Sequence, residues 1–212
     1  MITVKKLIVN PFQENSYLIT DGTGECILVD AGFYFQEERE YLIRFIAENK
    51  LNPVRLVNTH CHFDHLMGVD FFRHHYGIPF ECHQEDAFWL GMASAQARSF
   101  GYSMQNVDPA DGFLSEKDPL CFGNTTMKII HVPGHSPGHV AFYSGEGSFL
   151  LSGDALFYEG IGRTDLPGGD YAGLICGISD KLLGLPADTV VYSGHGPETS
   201  IGHEKMNNPY LI

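Results

Sequence analysis

Histidines and one aspartate are concentrated in a single short segment of this chain. His60, His62, Asp64 and His65 lie within six consecutive positions. Neutral imidazole and carboxylate are the side chains that bind zinc and similar divalent ions in soluble proteins. In an extended segment, His60, His62 and Asp64 point to one side, whereas His65 points elsewhere. We therefore expect this loop to feed two adjacent metal positions; the alternative is a polar turn with solvated histidines.

Three further metal-capable side chains each follow the end of a predicted strand. They are His135, Asp154 and His195, and a glycine precedes each of them. Glycine permits a sharp turn and a close approach of the backbone. Side chains at strand ends converge on one edge of a sheet sandwich, where a rigid scaffold can position a site. A lone Gly-His after a strand is more often an ordinary loop histidine, so the prediction depends on the whole set.

The elements that position these residues follow from hydrophobic periodicity and turn signals. The predicted strands cover residues 2–9, 15–20, 25–30, 54–58, 79–82, 125–132, 140–144, 148–152 and 189–192. The predicted helices cover residues 36–50, 65–76, 85–92, 171–183 and 198–206, and residues 93–120 are predicted to form a loop. Strands in two runs, each followed by helices, indicate an α+β fold. We expect one domain over residues 1–212, a four-layer αββα sandwich of two mixed β-sheets flanked by helices.

Composition narrows the classes of partner. The chain has 13 Lys and Arg against 26 Asp and Glu, a net charge of -13, which disfavours nucleic acid and anionic membranes as partners. Its five cysteines are widely spaced without a CxxC motif, which favours a reducing compartment. The N-terminus lacks a signal-peptide pattern, and no apolar run approaches the ~20 residues that span a bilayer. We therefore expect a cytoplasmic protein; the sequence leaves the oligomeric state open.

The combined pattern, H-x-H-x-D-H followed by His, Asp and His, resembles the metallo-β-lactamase fold superfamily. The resemblance implies two divalent metal ions per chain, zinc in the first instance, with iron or manganese as alternatives. It implies a first metal ion held by His60, His62 and His135. It implies a second metal ion held by Asp64, His65 and His195, with Asp154 bridging the two. All seven positions carry the expected residue.

Within the superfamily the chain resembles the glyoxalase II group, the hydroxyacylglutathione hydrolases. The resemblance is carried by Asn15-Ser16-Tyr17, by the Pro-Gly-His-Ser-Pro-Gly-His run at 133–139, by 153–157, by 160–170 and by 208–211. The last two segments are similar to the short-form members of that group. Because seventeen residues follow His195, we expect the C-terminal helical domain, which helps full-length members grip glutathione, to be absent.

The resemblance implies hydrolysis of the thioester of a small 2-hydroxy acid, such as S-D-lactoylglutathione. Two cations sharing a water lower its pKa towards about 7, and the resulting hydroxide attacks the acyl carbonyl. Asp64 would orient that hydroxide. A thiolate leaving group, with a pKa near ~8.5, needs little protonation by the enzyme, so a metal site without a general acid suits a small-molecule thioester.

Two substrate contacts and several alternatives stay open at this point. The resemblance places Arg163 as a cationic substrate contact, and an ion pair with Asp165 or Asp170 is its alternative role. Tyr158 is a second candidate contact, with simple packing as the alternative. We expect His139 to brace its loop or to orient a metal ligand. Alternative functions are an iron-dependent persulfide dioxygenase on the same fold, a lactonase or β-lactamase, and a non-catalytic metal-binding domain.

Overall fold

Two six-stranded sheets form the centre of the computed structural model, which describes residues 2–211. The strands are β1 (Thr3–Val9), β2 (Glu14–Thr20), β3 (Glu25–Val29), β4 (Asn52–Val57), β5 (Phe80–His83), β6 (Gly112–Leu114), β7 (Leu120–Phe122), β8 (Thr125–His131), β9 (Val140–Ser144), β10 (Phe149–Gly153), β11 (Leu156–Phe157), β12 (Gly160–Ile161), β13 (Val190–Ser193) and β14 (Thr199–Ser200). The α-helices are α1 (Gln36–Glu48), α2 (Val69–Tyr76), α3 (Ala93–Ser99), α4 (Tyr171–Gly177) and α5 (Ile201–Asn207). Shorter 3-10 helices cover Phe63–His65 and Gln84–Met92, and a π-helical turn over Ile178–Leu182 continues α4.

Both large sheets are mixed. The first has the order β1-β2-β3-β4-β5-β6, antiparallel from β1 to β3 and parallel from β3 to β6. The second has the order β14-β13-β10-β9-β8-β7, in which β10 and β13 are the parallel pair. Strands β11 and β12 form a small separate ribbon.

The two sheets pack face to face and helices cover their outer faces. Alternation along β2 shows the arrangement, because Tyr17 and Ile19 enter the core between the sheets while Leu18 enters the core under the helices. Leu42 of α1 and Phe72 of α2 share that helix-side core. A third core joins the outer face of the second sheet to α4 and α5. The predicted αββα sandwich is therefore confirmed, and no helix within residues 2–211 is long and apolar enough to cross a membrane.

The predicted loop over 93–120 was too long. Residues 93–99 form α3, and β6 and β7 occupy parts of the remainder. Each of these two strands has three residues. A stretch of that length cannot display a period-two pattern, so the sequence gives no signal for it.

Two predicted boundaries also move. The helix predicted from residue 65 begins at Val69, after a separate 3-10 turn, because Gly68 packs against the backbone of the loop that follows β3. A Cβ on Gly68 would lie 3.0 Å from the carbonyl oxygen of Ala31. Pro53 lies inside β4 rather than before it, beside a register irregularity at Cys26, where a missing N–H is tolerated.

Candidate metal centre

The loops that follow one strand of the first sheet and three strands of the second meet at one edge of the sandwich. His60 and His62 follow β4, and His135, Asp154 and His195 follow β8, β10 and β13. Strands β4, β10 and β13 end in buried residues, so the loops that follow them start from a rigid base. The predicted convergence of strand-end side chains is what the structure shows.

The segment from His60 to His65 does not stay extended. His62 has extended backbone angles, but Phe63–His65 forms a 3-10 turn that begins directly after it. The simple alternation that placed Asp64 beside His60 and His62 therefore ends at His62. The turn carries Asp64 and His65 to a second group of side chains instead.

Seven side chains gather here in groups that share members. In each group, one ligand-capable atom per residue lies within 4.8 Å of the others. The groups are His60, His62 and His135; Asp64, His65 and His195; and His60, His65 and Asp154. We call these seven residues the His/Asp cluster, and its arrangement fits a dinuclear metal site.

Asp154 lies between the two halves of the His/Asp cluster. Its Oδ1 is 3.5 Å from Nε2 of His65, and its Oδ2 is 3.6 Å from Nε2 of His135. The same Oδ2 is 3.7 Å from Nε2 of His195, which itself lies 3.3 Å from Oδ2 of Asp64. One carboxylate therefore lies close to histidines of both groups.

Two cluster histidines form a hydrogen bond to a backbone carbonyl through the ring nitrogen that faces away from the cluster. Nδ1 of His135 is 2.8 Å from the carbonyl oxygen of Arg163, and Nδ1 of His195 is 3.2 Å from that of Phe12. A carbonyl oxygen only accepts, so both imidazoles donate from Nδ1 and turn their Nε2 atoms towards the cluster. Second partners of this kind fix the ring orientation and tautomer of metal-binding histidines.

Buried atoms without partners test whether these residues suit a metal ion. Within the described residues, Nε2 of His60, Nε2 of His65 and Oδ1 of Asp154 have no hydrogen-bond partner. Leaving such atoms unpaired in a protein interior costs free energy. All three belong to the cluster, and imidazole nitrogen with carboxylate oxygen is a suitable donor set for zinc, iron or manganese. The residues therefore fit a bound divalent metal.

The pKa shifts of three cluster residues agree with binding of a divalent metal. Burial lowers the pKa of His60 well below its usual range, and burial together with His135 lowers the pKa of His62 to about 3. These two rings are therefore neutral, which is the state that binds metal. Burial raises the pKa of Asp64, but the hydrogen bond from His195 and the nearby histidines outweigh it, so the Asp64 pKa lies below its usual range.

A cavity of about 180 Å³ opens directly above the cluster. Arg163 contributes to its lining, and its guanidinium forms two hydrogen bonds of 2.7 Å to the carboxylate of Asp165. The ion pair considered for Arg163 is thus present, with Asp165 as the partner. Tyr158 does not reach this cavity: the turn between β11 and β12 points it outward, where it is 47% exposed and stacks on His203.

Four buried residues surround the cluster, and the sequence had singled out His139 alone among them as a positioning residue. Asp30 accepts hydrogen bonds from the backbone N–H and the hydroxyl of Thr59, and it lies 3.3 Å from Nδ1 of His65. The remaining three are the fully buried Glu14, Asp86 and His139. The Asp154 N–H donates to Nε2 of His139, so His139 helps to orient a cluster residue, the second of the two roles expected for it. In the sequence, Asp30 is marked only by its position at the end of a predicted strand.

Gly194 offers a local test of how tightly the cluster is packed. A Cβ at this position would overlap Oδ1 of Asp154 and lie 2.9 Å from Cε1 of His65. We expect Gly194→Ala to displace the Asp154 carboxylate and to weaken metal binding at least tenfold, measured by titration of the metal-free protein. Gly91→Ala is the matched control, because a Cβ there meets nothing within 4 Å. Unchanged affinity in Gly194→Ala would contradict the close packing.

The fold and the His/Asp cluster together define a metal-dependent hydrolase. The family model of the metallo-beta-lactamase superfamily matches residues 9–195. The chain belongs to the metallo-β-lactamase superfamily.

Two similar proteins match along nearly the whole chain. One is the probable metallo-hydrolase YqgX of Bacillus subtilis, 38% identical over 209 residues, which are 98% of this chain and 96% of that protein. Another is the hydroxyacylglutathione hydrolase GloC of Haemophilus influenzae, 37% identical over 214 residues, covering 99% of this chain and 98% of that protein.

Solved structures show the same arrangement of the backbone. BLEG-1, a B3 metallo-beta-lactamase, superposes with a TM-score of 0.90 at 38% identity and covers 99% of this chain and 100% of its own. TTHA1623 in a di-iron-bound form has a TM-score of 0.89 at 37% identity, and the match covers 98% of this chain and 100% of that one. The chain therefore shares its backbone arrangement with both neighbours, one of which was solved in a di-iron-bound form.

Proposed function

We propose that this chain is a dinuclear metal-dependent thioesterase of the hydroxyacylglutathione hydrolase type. Its substrate is the thioester of a small 2-hydroxy acid, with S-D-lactoylglutathione as the first compound to test. The observation that carries the proposal is the position of Asp154 between two histidine groups at the floor of one cavity. Similarity to GloC over 99% of the chain supports the substrate class.

The ligand assignment follows the two groups. His60, His62 and His135 would hold one ion, Asp64, His65 and His195 the other, and Asp154 would contact both. Zinc is the proposed metal, with iron or manganese as alternatives that the same donors accept. When bound, two divalent cations supply Lewis acidity, which polarises an acyl carbonyl and makes water acidic enough to react near neutral pH.

The chain's own residues position the reactants. The Asp64 carboxylate, held by His195 and charged at neutral pH, can accept a hydrogen bond from the attacking water and orient it. Phe12, Phe63 and Phe100 line the same cavity and give it an apolar side. A leaving thiol with a pKa near ~8.5 departs as thiolate without a general acid.

Thiol release from lactoyl thioesters tests this proposal. The purified protein, with its metal content determined, should hydrolyse S-D-lactoylglutathione or the lactoyl thioester of an uncharged thiol. A chelator should abolish the release, and added metal should restore it. If protein with two ions bound releases thiol from neither compound, the thioesterase proposal is wrong.

An iron-dependent persulfide dioxygenase is the second candidate, because the similar TTHA1623 structure contains iron. It predicts oxygen uptake with glutathione persulfide by the iron-loaded protein, and an oxygen electrode distinguishes it from hydrolysis. A lactonase or β-lactamase is the third, supported by the similarity to BLEG-1. It predicts opening of a lactone or β-lactam ring under the same metal conditions.

The pair of Arg163 and Asp165 makes a specific prediction about anionic substrates. Asp165 is exposed and occupies one edge of the Arg163 guanidinium, where it accepts from Nε and Nη2. Asp165→Asn should free this cation for a carboxylate and lower KM for S-D-lactoylglutathione about two- to fivefold with little change in kcat, since a new surface ion pair contributes up to about 1 kcal/mol. Steady-state kinetics at low salt measure it, with Asp188→Asn, an exposed aspartate elsewhere, as control. An unchanged KM would argue against Arg163 as a substrate contact.

A further inference from the structure

Three phenylalanine rings build one wall of the cavity above the His/Asp cluster. They are Phe12, Phe63 and Phe100, which we call the aromatic wall. The ring centroids of Phe12 and Phe63 are 5.0 Å apart and meet edge to face, and those of Phe63 and Phe100 are 5.2 Å apart and nearly parallel. Such contacts hold the rings in fixed orientations. The aromatic wall is therefore a preformed apolar surface.

Part of that surface faces solvent. Phe63 is 4% exposed, whereas Phe100, directly after α3, is 45% exposed beside the cavity. Leu166 also lines the cavity, which adds a further apolar side chain to the same space. Covering exposed apolar area next to a concave site is favourable for an apolar ligand group.

The charges around the cavity do not favour an anionic ligand arm. Arg163 is the one Lys or Arg among the residues that line the cavity in the described chain. One edge of its guanidinium, formed by Nε and Nη2, is already paired with the carboxylate of Asp165. Glutathione carries two carboxylates, and the one cationic side chain of this lining already pairs with an acid.

The size of the cavity decides which part of a substrate meets the aromatic wall. Its volume of about 180 Å³ suits a small acyl group, since a water molecule occupies roughly 30 Å³ in the liquid. The remainder of a thioester, its thiol side, must then extend past the rim. Phe100 is the exposed ring at that rim.

We infer that the thiol part of the substrate is uncharged and apolar, and that the aromatic wall selects for it. The inference rests on the proposed thioesterase function and names its carrier class: alkyl or arylalkyl thiols rather than glutathione. In the reaction, water forms the new C–O bond at the acyl carbon and the C–S bond breaks. The products are the hydroxy acid carboxylate, the free thiol and one proton.

Two thioesters with the same acyl group test the inference on the metal-loaded protein. One is S-D-lactoylglutathione, and the other is the lactoyl thioester of benzyl mercaptan, whose alkyl thiol is chemically matched as a leaving group. We expect kcat/KM to be at least tenfold higher for the benzyl compound. Phe100→Ala should reduce that preference about five- to tenfold, mainly through KM, as expected from the loss of a contact made equally in ground and transition states.

Phe113→Ala is the matched control, because Phe113 is 55% exposed on β6 and is not among the residues that line this cavity. It should leave the preference unchanged. An equal or higher kcat/KM for the glutathione thioester would overturn the inference and leave the thioesterase function intact. Hydrolysis of neither compound would overturn the proposed function and the inference with it. A preference that Phe100→Ala leaves unchanged would overturn the role of the aromatic wall.

Discussion

Asp154→Ala should abolish the paired metal site and reduce thioester hydrolysis on the order of a thousandfold, which corresponds to about 4 kcal/mol of transition-state stabilisation. The physical reason is the position of this carboxylate. Its two oxygens face histidines of both groups, at 3.5 Å from His65 and 3.6 Å from His135. Removing it leaves each group with three donors and nothing that joins them. We therefore expect bound metal to fall from two ions per chain to one or fewer.

Metal analysis of the purified variant provides a readout that does not depend on activity. Asp154→Asn separates charge from shape, because an amide fills the same space but offers one neutral acceptor. We expect Asp154→Asn to bind metal more weakly than the parent and more strongly than Asp154→Ala. Asp118→Ala is the control, since Asp118 is an exposed aspartate outside the cavity lining. Two ions retained in Asp154→Ala would contradict the bridging role.

The cluster residues were accessible to sequence reasoning because each has a local signal. His60 and His62 repeat at a spacing that an extended loop places on one side. His135, Asp154 and His195 follow a glycine at a strand end, and strand ends of neighbouring strands meet at one sheet edge. Local pattern and topology therefore indicated that these residues meet, whereas their division between two metal ions came from the resemblance to the superfamily.

The side chains that hold the cluster lacked such a signal. Asp86 lies within a 3-10 helix and Glu14 at the start of β2, and in the sequence each is an ordinary polar residue. Both are fully buried, and that burial arises from contacts across the fold. The two-residue strands β11 and β12 were missed for a related reason, since their pairing depends on the loop around Asp154 rather than on their own composition.

Asp86→Ala should be the most destabilising single substitution among those considered. Asp86 is completely buried and accepts three hydrogen bonds from two different loops. Its Oδ2 accepts from the Cys61 N–H at 2.9 Å and from the Ser136 hydroxyl at 2.7 Å, and its Oδ1 accepts from the Gly138 N–H at 2.5 Å. Alanine would leave all three donors buried and unpaired, at a cost of roughly 3 to 5 kcal/mol in the free energy of unfolding.

Urea unfolding of the metal-free protein measures that cost, with Asp188→Ala as an exposed control expected to change stability by less than about 0.5 kcal/mol. Asp86→Asn should be intermediate, because an amide oxygen can keep the Cys61 and Ser136 bonds but its NH₂ group opposes the Gly138 N–H.

The same contacts predict an effect on metal binding that is confined to one half of the cluster. Asp86 ties the His60–His62 loop to the loop that carries His135, so the ion of that group should bind more weakly in Asp86→Asn. The group of Asp64, His65 and His195 lies outside these contacts and should keep its affinity for metal. If both ions instead bind more weakly to the same extent, Asp86 stabilises the fold without positioning the first group.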